Sequence, residues 1–176
     1  SELKGSCECG EVTYLVKGPL RPTIACHCTQ CRKTSGHYWA ATQVPSKHLK
    51  LVKDGGLKWF RSSARARRGF CVGCGSSLFW QMDGEGTTSI GSGTLDDLPV
   101  GEASVDKHIY VADKGTYYNL SDGLPLFDGG SNLKSCIKTS TYLLGLGYLD
   151  CRLSLGIVDK LLAVNQPIGY RRMTGG

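Results

Sequence analysis

Long uncharged apolar runs are missing from this sequence. Its most apolar region, Tyr142 to Val164, is broken by Asp150, Arg152, Asp159 and Lys160, whereas a membrane span needs roughly 20 consecutive apolar residues with few charges. No apolar stretch precedes the first cysteine pair in SELKGSCECG, so a secretory leader is not expected there. Before residue 130 no helical hydrophobic period is sustained, which argues against a helix bundle. The cysteines are also not dispersed in the manner of a disulfide framework. These absences set the expectation of a cytoplasmic protein in a reducing compartment, with no membrane partner.

What the chain has instead is cysteine in tight groups and abundant glycine: 9 Cys and 24 Gly in 176 residues. Seven cysteines fall in three short motifs, Cys7 and Cys9 in C-x-C, Cys26, Cys28 and Cys31 in C-x-C-x-x-C, and Cys71 and Cys74 in C-x-x-C. Cys136 and Cys151 have no partner motif and read as spare buried thiols. The formal charge of +6 is unevenly spread, with 15 basic against 13 acidic residues up to residue 130 and 6 against 2 beyond it. Seven thiolates on two divalent ions would turn the first region slightly acidic. A nucleic-acid surface is therefore not expected on it.

Period-two alternation predicts strands. Val12, Tyr14 and Val16 share one face of EVTYLVKG, and HYWAATQVP is a second strand ended by Pro45. LKLVK and LKWFRSS flank DGG and read as a hairpin, as do SLFWQM and TTSIGSG around DGEG. KHIYVA is a further strand. Short strands with Gly-rich turns predict an all-β domain over residues 1–130. Residues 131–176 are Leu- and Gly-rich without a clean period and read as an extension with two alternatives: an appended element packing its leucines on the domain or on a partner subunit of a homo-oligomer, or a stretch foreign to the domain, such as an out-of-frame extension.

Zinc is the metal that cysteine motifs of this kind hold, in four-coordinate sites. Cys71, Cys74 and Gly75 form a zinc knuckle, and Cys7 with Cys9 supplies the other half of a closed four-thiolate site. The residues alone also permit Cys28 and Cys31 to join Cys71 and Cys74. For Cys26, Cys28 and Cys31, His27 is the nearest fourth donor, but in an extended segment it points away from residues 26 and 28. His37 and His108 are further candidates. Three protein ligands and one exchangeable position is the arrangement of catalytic zinc.

Taken in order, GSCECGEVTY, CHCTQCRKTSG, FCVGCGSSLF and HIYVADKGTYYNLSDGLP resemble the family of glutathione-dependent formaldehyde-activating enzymes, whose wider group includes centromere protein V. The resemblance covers roughly residues 3–128. It implies a β-tent of packed antiparallel sheets and two zinc ions per chain. One is structural, on Cys7, Cys9, Cys71 and Cys74; the other is catalytic, on Cys26, Cys28 and Cys31. It further implies a carbon–sulfur lyase that reversibly joins glutathione, or another small thiol, to formaldehyde or another small aldehyde. The kinship with centromere protein V also admits a zinc-stapled binding or scaffold module without catalysis, and a zinc enzyme acting on another small electrophile, with water or a different thiol in the open position, is a further alternative.

Glutathione carries two carboxylates, so basic side chains are expected beside the open site. Arg32 and Lys33, directly after the last ligand, are the candidates for substrate binding, with the run Arg65, Arg67 and Arg68 as a second basic group. His27 is the third substrate-binding candidate, as a proton carrier. Tyr38, Trp39, Trp59 and Trp80 are candidate pocket walls, and Ser35 and Gly36 are expected to shape the turn after the cluster.

Overall fold

The computed structural model describes residues 2–130. In chain order the strands are β1 (Glu2–Ser6), β2 (Thr13–Lys17), β3 (Thr23–Cys26), β4 (Trp39–Pro45), β5 (Leu49–Lys53), β6 (Leu57–Arg61), β7 (Ala66–Cys71), β8 (Ser77–Met82), β9 (Thr87–Gly91) and β10 (Val105–Ile109), with one short helix, α1 (Thr29–Ser35), between β3 and β4. They form a three-stranded sheet in the order β1-β2-β5 and a seven-stranded sheet in the order β10-β3-β4-β9-β8-β7-β6. This is the all-β, two-sheet architecture expected of a β-tent. The 131–176 extension, with Cys136 and Cys151, lies outside the described residues.

The apolar core sits where the sheets face each other. Alternation along β2 buries Tyr14 and Val16 while Thr13 and Leu15 stay half-buried. Leu3, Val12 and Val16 meet Val44, Leu78, Phe79 and Ile90 of the larger sheet. The Tyr14 ring packs edge-on to Phe79 at 5.1 Å, and its hydroxyl donates to the Thr94 carbonyl at 2.9 Å, satisfying the polar end of a buried side chain. Gly5, opposite Tyr14 in the β1–β2 pair, leaves room for that ring; a Cβ there would lie 2.2 Å from Tyr14 Cζ.

Two sequence expectations change. LKLVK and LKWFRSS do form strands, β5 and β6, yet they are not a hairpin: β5 pairs with β2, and β6 with β7. Neither Gly55 nor Gly56 has the positive φ that a tight two-residue hairpin turn needs, so DGG carries the chain from one sheet to the other. The sheets are also not wholly antiparallel, because β10 runs parallel to β3 with His108 opposite Ala25 and Ile109 opposite Cys26. The second expected hairpin is present, with Phe79 opposite Ile90 in the β8–β9 pair. Among the described residues no helix is long and apolar enough to cross a membrane.

The other face of the large sheet holds a second, smaller cluster. Cys31, Trp39 and Ala41 are buried there, with Cys26, Cys28 and Trp80 packed against them.

Candidate metal centres

Cys7 directly follows β1 and Cys71 ends β7, and at each the chain then turns back sharply. The Gly10 N–H donates to the Cys7 carbonyl and the Gly75 N–H to that of Cys71, at 3.1 and 2.8 Å. Gly75, at φ 76°, takes the left-handed conformation that a knuckle requires. The two turns bring Cys9 and Cys74 to the buried Cys7 and Cys71, and the four sulfurs lie within 4.8 Å of one another. The Cys7–Cys9 and Cys9–Cys71 separations are 3.6 and 3.7 Å. Ligands on a tetrahedron with metal–sulfur bonds of about 2.3 Å lie about 3.8 Å apart, while a disulfide needs about 2.05 Å. The Val12 N–H donates to Cys7 Sγ at 3.2 Å. Ser76 Oγ, 3.2 Å from Cys74 Sγ, lowers that thiol to about 5. The donor set fits zinc, and the alternative grouping of Cys28 and Cys31 with Cys71 and Cys74 is not the one formed.

Cys26 closes β3, Cys28 caps α1, and Cys31 lies in the first turn of that helix. The Cys31 N–H donates to Cys28 Sγ at 3.4 Å, so the ligand spacing is set by the cap itself. Gly36 ends the helix at φ 77°, returning its N–H to the Arg32 carbonyl, as the turn after the cluster requires. The three sulfurs again lie within 4.8 Å of one another, with Cys31 buried and the other two half-buried. Hydrogen bonding from Cys26 drives the Cys28 thiol down to about 2, while the same contact drives Cys26 upward. One thiolate is thus sheltered at the expense of its neighbour, and a divalent cation bound here would let all three ionise together. Among the described residues no fourth Cys, His, Asp or Glu joins this group.

His27 points away from the cysteines and is fully buried. Its Nδ1 lies 2.5 Å from the Tyr118 hydroxyl, and its Nε2 lies 2.9 Å from His108 Nδ1. His108 Nε2 lies 2.8 Å from Asp122 Oδ2. An ionised carboxylate only accepts, which assigns the protons in one direction: Tyr118 O–H to His27, His27 Nε2–H to His108, His108 Nε2–H to Asp122. Burial, with His108 beside it, lowers His27 to about 4, and the bond to His108 holds Asp122 below the ordinary carboxylate value. With both nitrogens engaged, His27 is not on an exposed substrate rim. It anchors the backbone between Cys26 and Cys28. His37, the other candidate donor, lies 3.3 Å from the Tyr117 hydroxyl.

The basic residues separate. Arg32 and Lys33 lie in the last turn of α1, Lys33 exposed and Arg32 half-buried with an unpartnered Nε. Along β7, alternation sends Arg67 to the core-side face, over the Trp59 ring at 4.3 Å and onto Gln81, and sends Arg68 to the opposite face, against Cys31 and Trp39. Trp59 stacks on Phe79, so of the expected wall residues only Trp39 and Trp80 pack against the three-cysteine cluster. Tyr38 lies instead against the His27 ring at 5.0 Å. Sequence reasoning gave Tyr118 and Asp122 no role, although both stand in the YYNLSD run; the parallel placement of β10 is what delivers them.

Residues 2–113 match the family described as glutathione-dependent formaldehyde-activating enzyme. The chain belongs to this family. All seven clustered cysteines fall inside the matched span, whereas Tyr118 and Asp122 lie just beyond it. Membership in the glutathione-dependent formaldehyde-activating enzymes supports glutathione and formaldehyde as substrates in general, and two cysteine groups are in place to hold zinc. A solved protein from Rhodobacter sphaeroides is 22% identical, over 58% of this chain and 99% of its own, with a TM-score of 0.47.

Proposed function

We propose that this chain is a zinc-dependent carbon–sulfur lyase that reversibly adds a thiol, most simply glutathione, to a small aldehyde such as formaldehyde. The observation that carries this reading is the three-sulfur group of Cys26, Cys28 and Cys31, which no fourth side chain among the described residues completes. Zinc held by these three would keep a visiting thiol as its thiolate, whereas a free thiol with a pKa near 8.5 is only a few per cent ionised at neutral pH. In the reaction the sulfur adds to the carbonyl carbon, the π electron pair moves to oxygen, and oxygen takes up one proton while the thiol gives up one. The reverse sequence restores both reactants.

The chain's own residues supply position and charge. The Cys28 cap and the hydrogen-bonded string from the buried His27 to Asp122 hold the middle and the C-terminal end of the Cys26–Cys28 segment. Arg32 and Lys33, directly after Cys31 in the last turn of α1, are the proposed receivers of the two glutathione carboxylates. The four-cysteine site is the proposed structural staple. Magnetisation-exchange NMR on a panel of thiols with formaldehyde tests the reading. The exchange rate should exceed the protein-free rate for at least one thiol and fall to that rate in Cys28→Ser. A rate equal to the protein-free control for every thiol and aldehyde would sink it.

A further inference from the structure

Arg68 is buried to 6% exposure on the face of β7 that meets the three-cysteine group. Its Nη2 lies 3.5 Å from Cys31 Sγ, and its guanidinium carbon lies 5.8 Å from the Trp39 ring centroid. Nε and Nη1 are also buried and have no hydrogen-bond partner among the described residues. The ion pairs of the described residues are Lys17–Glu2, Arg61–Asp83 and Lys107–Asp106, and none includes Arg68. A buried cation without a compensating negative charge is strongly disfavoured. The counter-charge of Arg68 is therefore the sulfur group itself.

The charge balance gives this placement a use, on the proposed reading that the three-cysteine site is open. Three thiolates and a divalent ion sum to −1. A neutral fourth ligand leaves that value, and a thiolate takes it to −2 in a partly buried setting where charge is poorly screened. Arg68 brings those two states to 0 and −1. It also withdraws electron density from Cys31 through a charge-assisted N–H···S contact, so the ion can take another sulfur donor more readily. We propose that Arg68 is the ligand-selecting residue of the three-cysteine site, the charge beside Cys31 that lets the site prefer an anionic sulfur over a neutral donor as its exchangeable ligand. Arg67, one residue earlier but on the opposite face, has no such part.

Cobalt(II) substituted for zinc tests this without reference to turnover, because thiolate-to-cobalt charge-transfer bands respond when the ligand set changes. The full chain, loaded with cobalt, is titrated at one pH with 2-mercaptoethanol and separately with imidazole. In Arg68→Met the affinity for the thiol should fall about tenfold, the size expected for one charge-assisted contact, while imidazole binding changes by less than about twofold. Arg68→Lys should keep most of the thiol affinity yet shift the charge-transfer band, since an ammonium restores charge but not the planar fork. The closed four-cysteine site responds to neither probe and reports whether each variant is folded. If Arg68→Met loses that signal, Arg68→Lys against Arg68→Gln gives the same contrast of charge. Equal weakening of both probes, or of neither, overturns the role of Arg68. A wild-type spectrum that answers to neither probe overturns the open-site reading as well, so the two failures are distinguishable.

Discussion

Gly56 shows how closely the backbone approaches the four-cysteine staple. A Cβ at this position would lie 2.9 Å from the Glu11 side chain and 3.1 Å from Cys71 Sγ, whereas one at Gly55 would meet nothing within 4 Å. Gly56→Ala should therefore destabilise the metal-loaded protein by about 1–3 kcal/mol, and Gly55→Ala should stay within about 0.5 kcal/mol; thermal melts of the pair check this. His108 is a second residue whose loss has a calculable effect. His108→Phe leaves the buried His27 Nε2–H without its acceptor, which costs about 1–3 kcal/mol. Denaturant unfolding of that variant and of wild type measures the difference. At this scale the sequence was informative where alternation governs: the opposite orientations of His27 and its cysteine neighbours follow from extended geometry. The partners of His27 were not legible, because they arrive from 81 and 91 residues away.

The two cysteine groups are built on different elements, and their losses should differ. Cys26, Cys28 and Cys31 come from one strand end and the helix that follows it, whereas Cys7, Cys9, Cys71 and Cys74 join β1 to β7 across the chain. Cys28→Ser should lower bound zinc from two ions per chain to one and leave the melt cooperative. Cys71→Ser should abolish the cooperative transition, since structural zinc carries folding free energy. Elemental analysis and calorimetry on both variants separate these outcomes, and a competing chelator should strip the three-cysteine site first. Local pattern identified seven of the ten strands, missing β1, β3 and β7, and read strand pairing poorly. LKLVK and LKWFRSS alternate as strands do in any sheet, so nothing within them says that they belong to different sheets. The β10–β3 pair was invisible for a related reason: parallel pairing leaves no turn motif between its members.

For the molecule as a whole, acid should act through His27 as well as through the metal ligands. The fold holds His27 near 4, below its ordinary 6.5. Between those values the unfolded chain binds the proton and the folded chain does not, so stability is intact above about pH 6.5 and declines as pH falls toward 4. His27→Asn should reduce the pH slope of stability in that window by about one proton, with the metal-linked slope common to both proteins. The proposed domain limit has its own test: residues 1–130 alone should bind two zinc ions per chain. The seven-thiol inventory was legible at this scale because metal chemistry constrains spacing tightly. The arrangement of the two sheets was not, since it depends on contacts between distant segments. The lateness of β10 in the chain carries one more implication. All seven sulfurs have been synthesised by residue 74, but the strand that covers the free side of β3 begins only at Val105. A nascent polypeptide halted at 104 would thus carry both cysteine groups complete while offering an unprotected backbone edge beside Cys26. Cellular quality control would then meet an intermediate primed to pair with a stranger's strand.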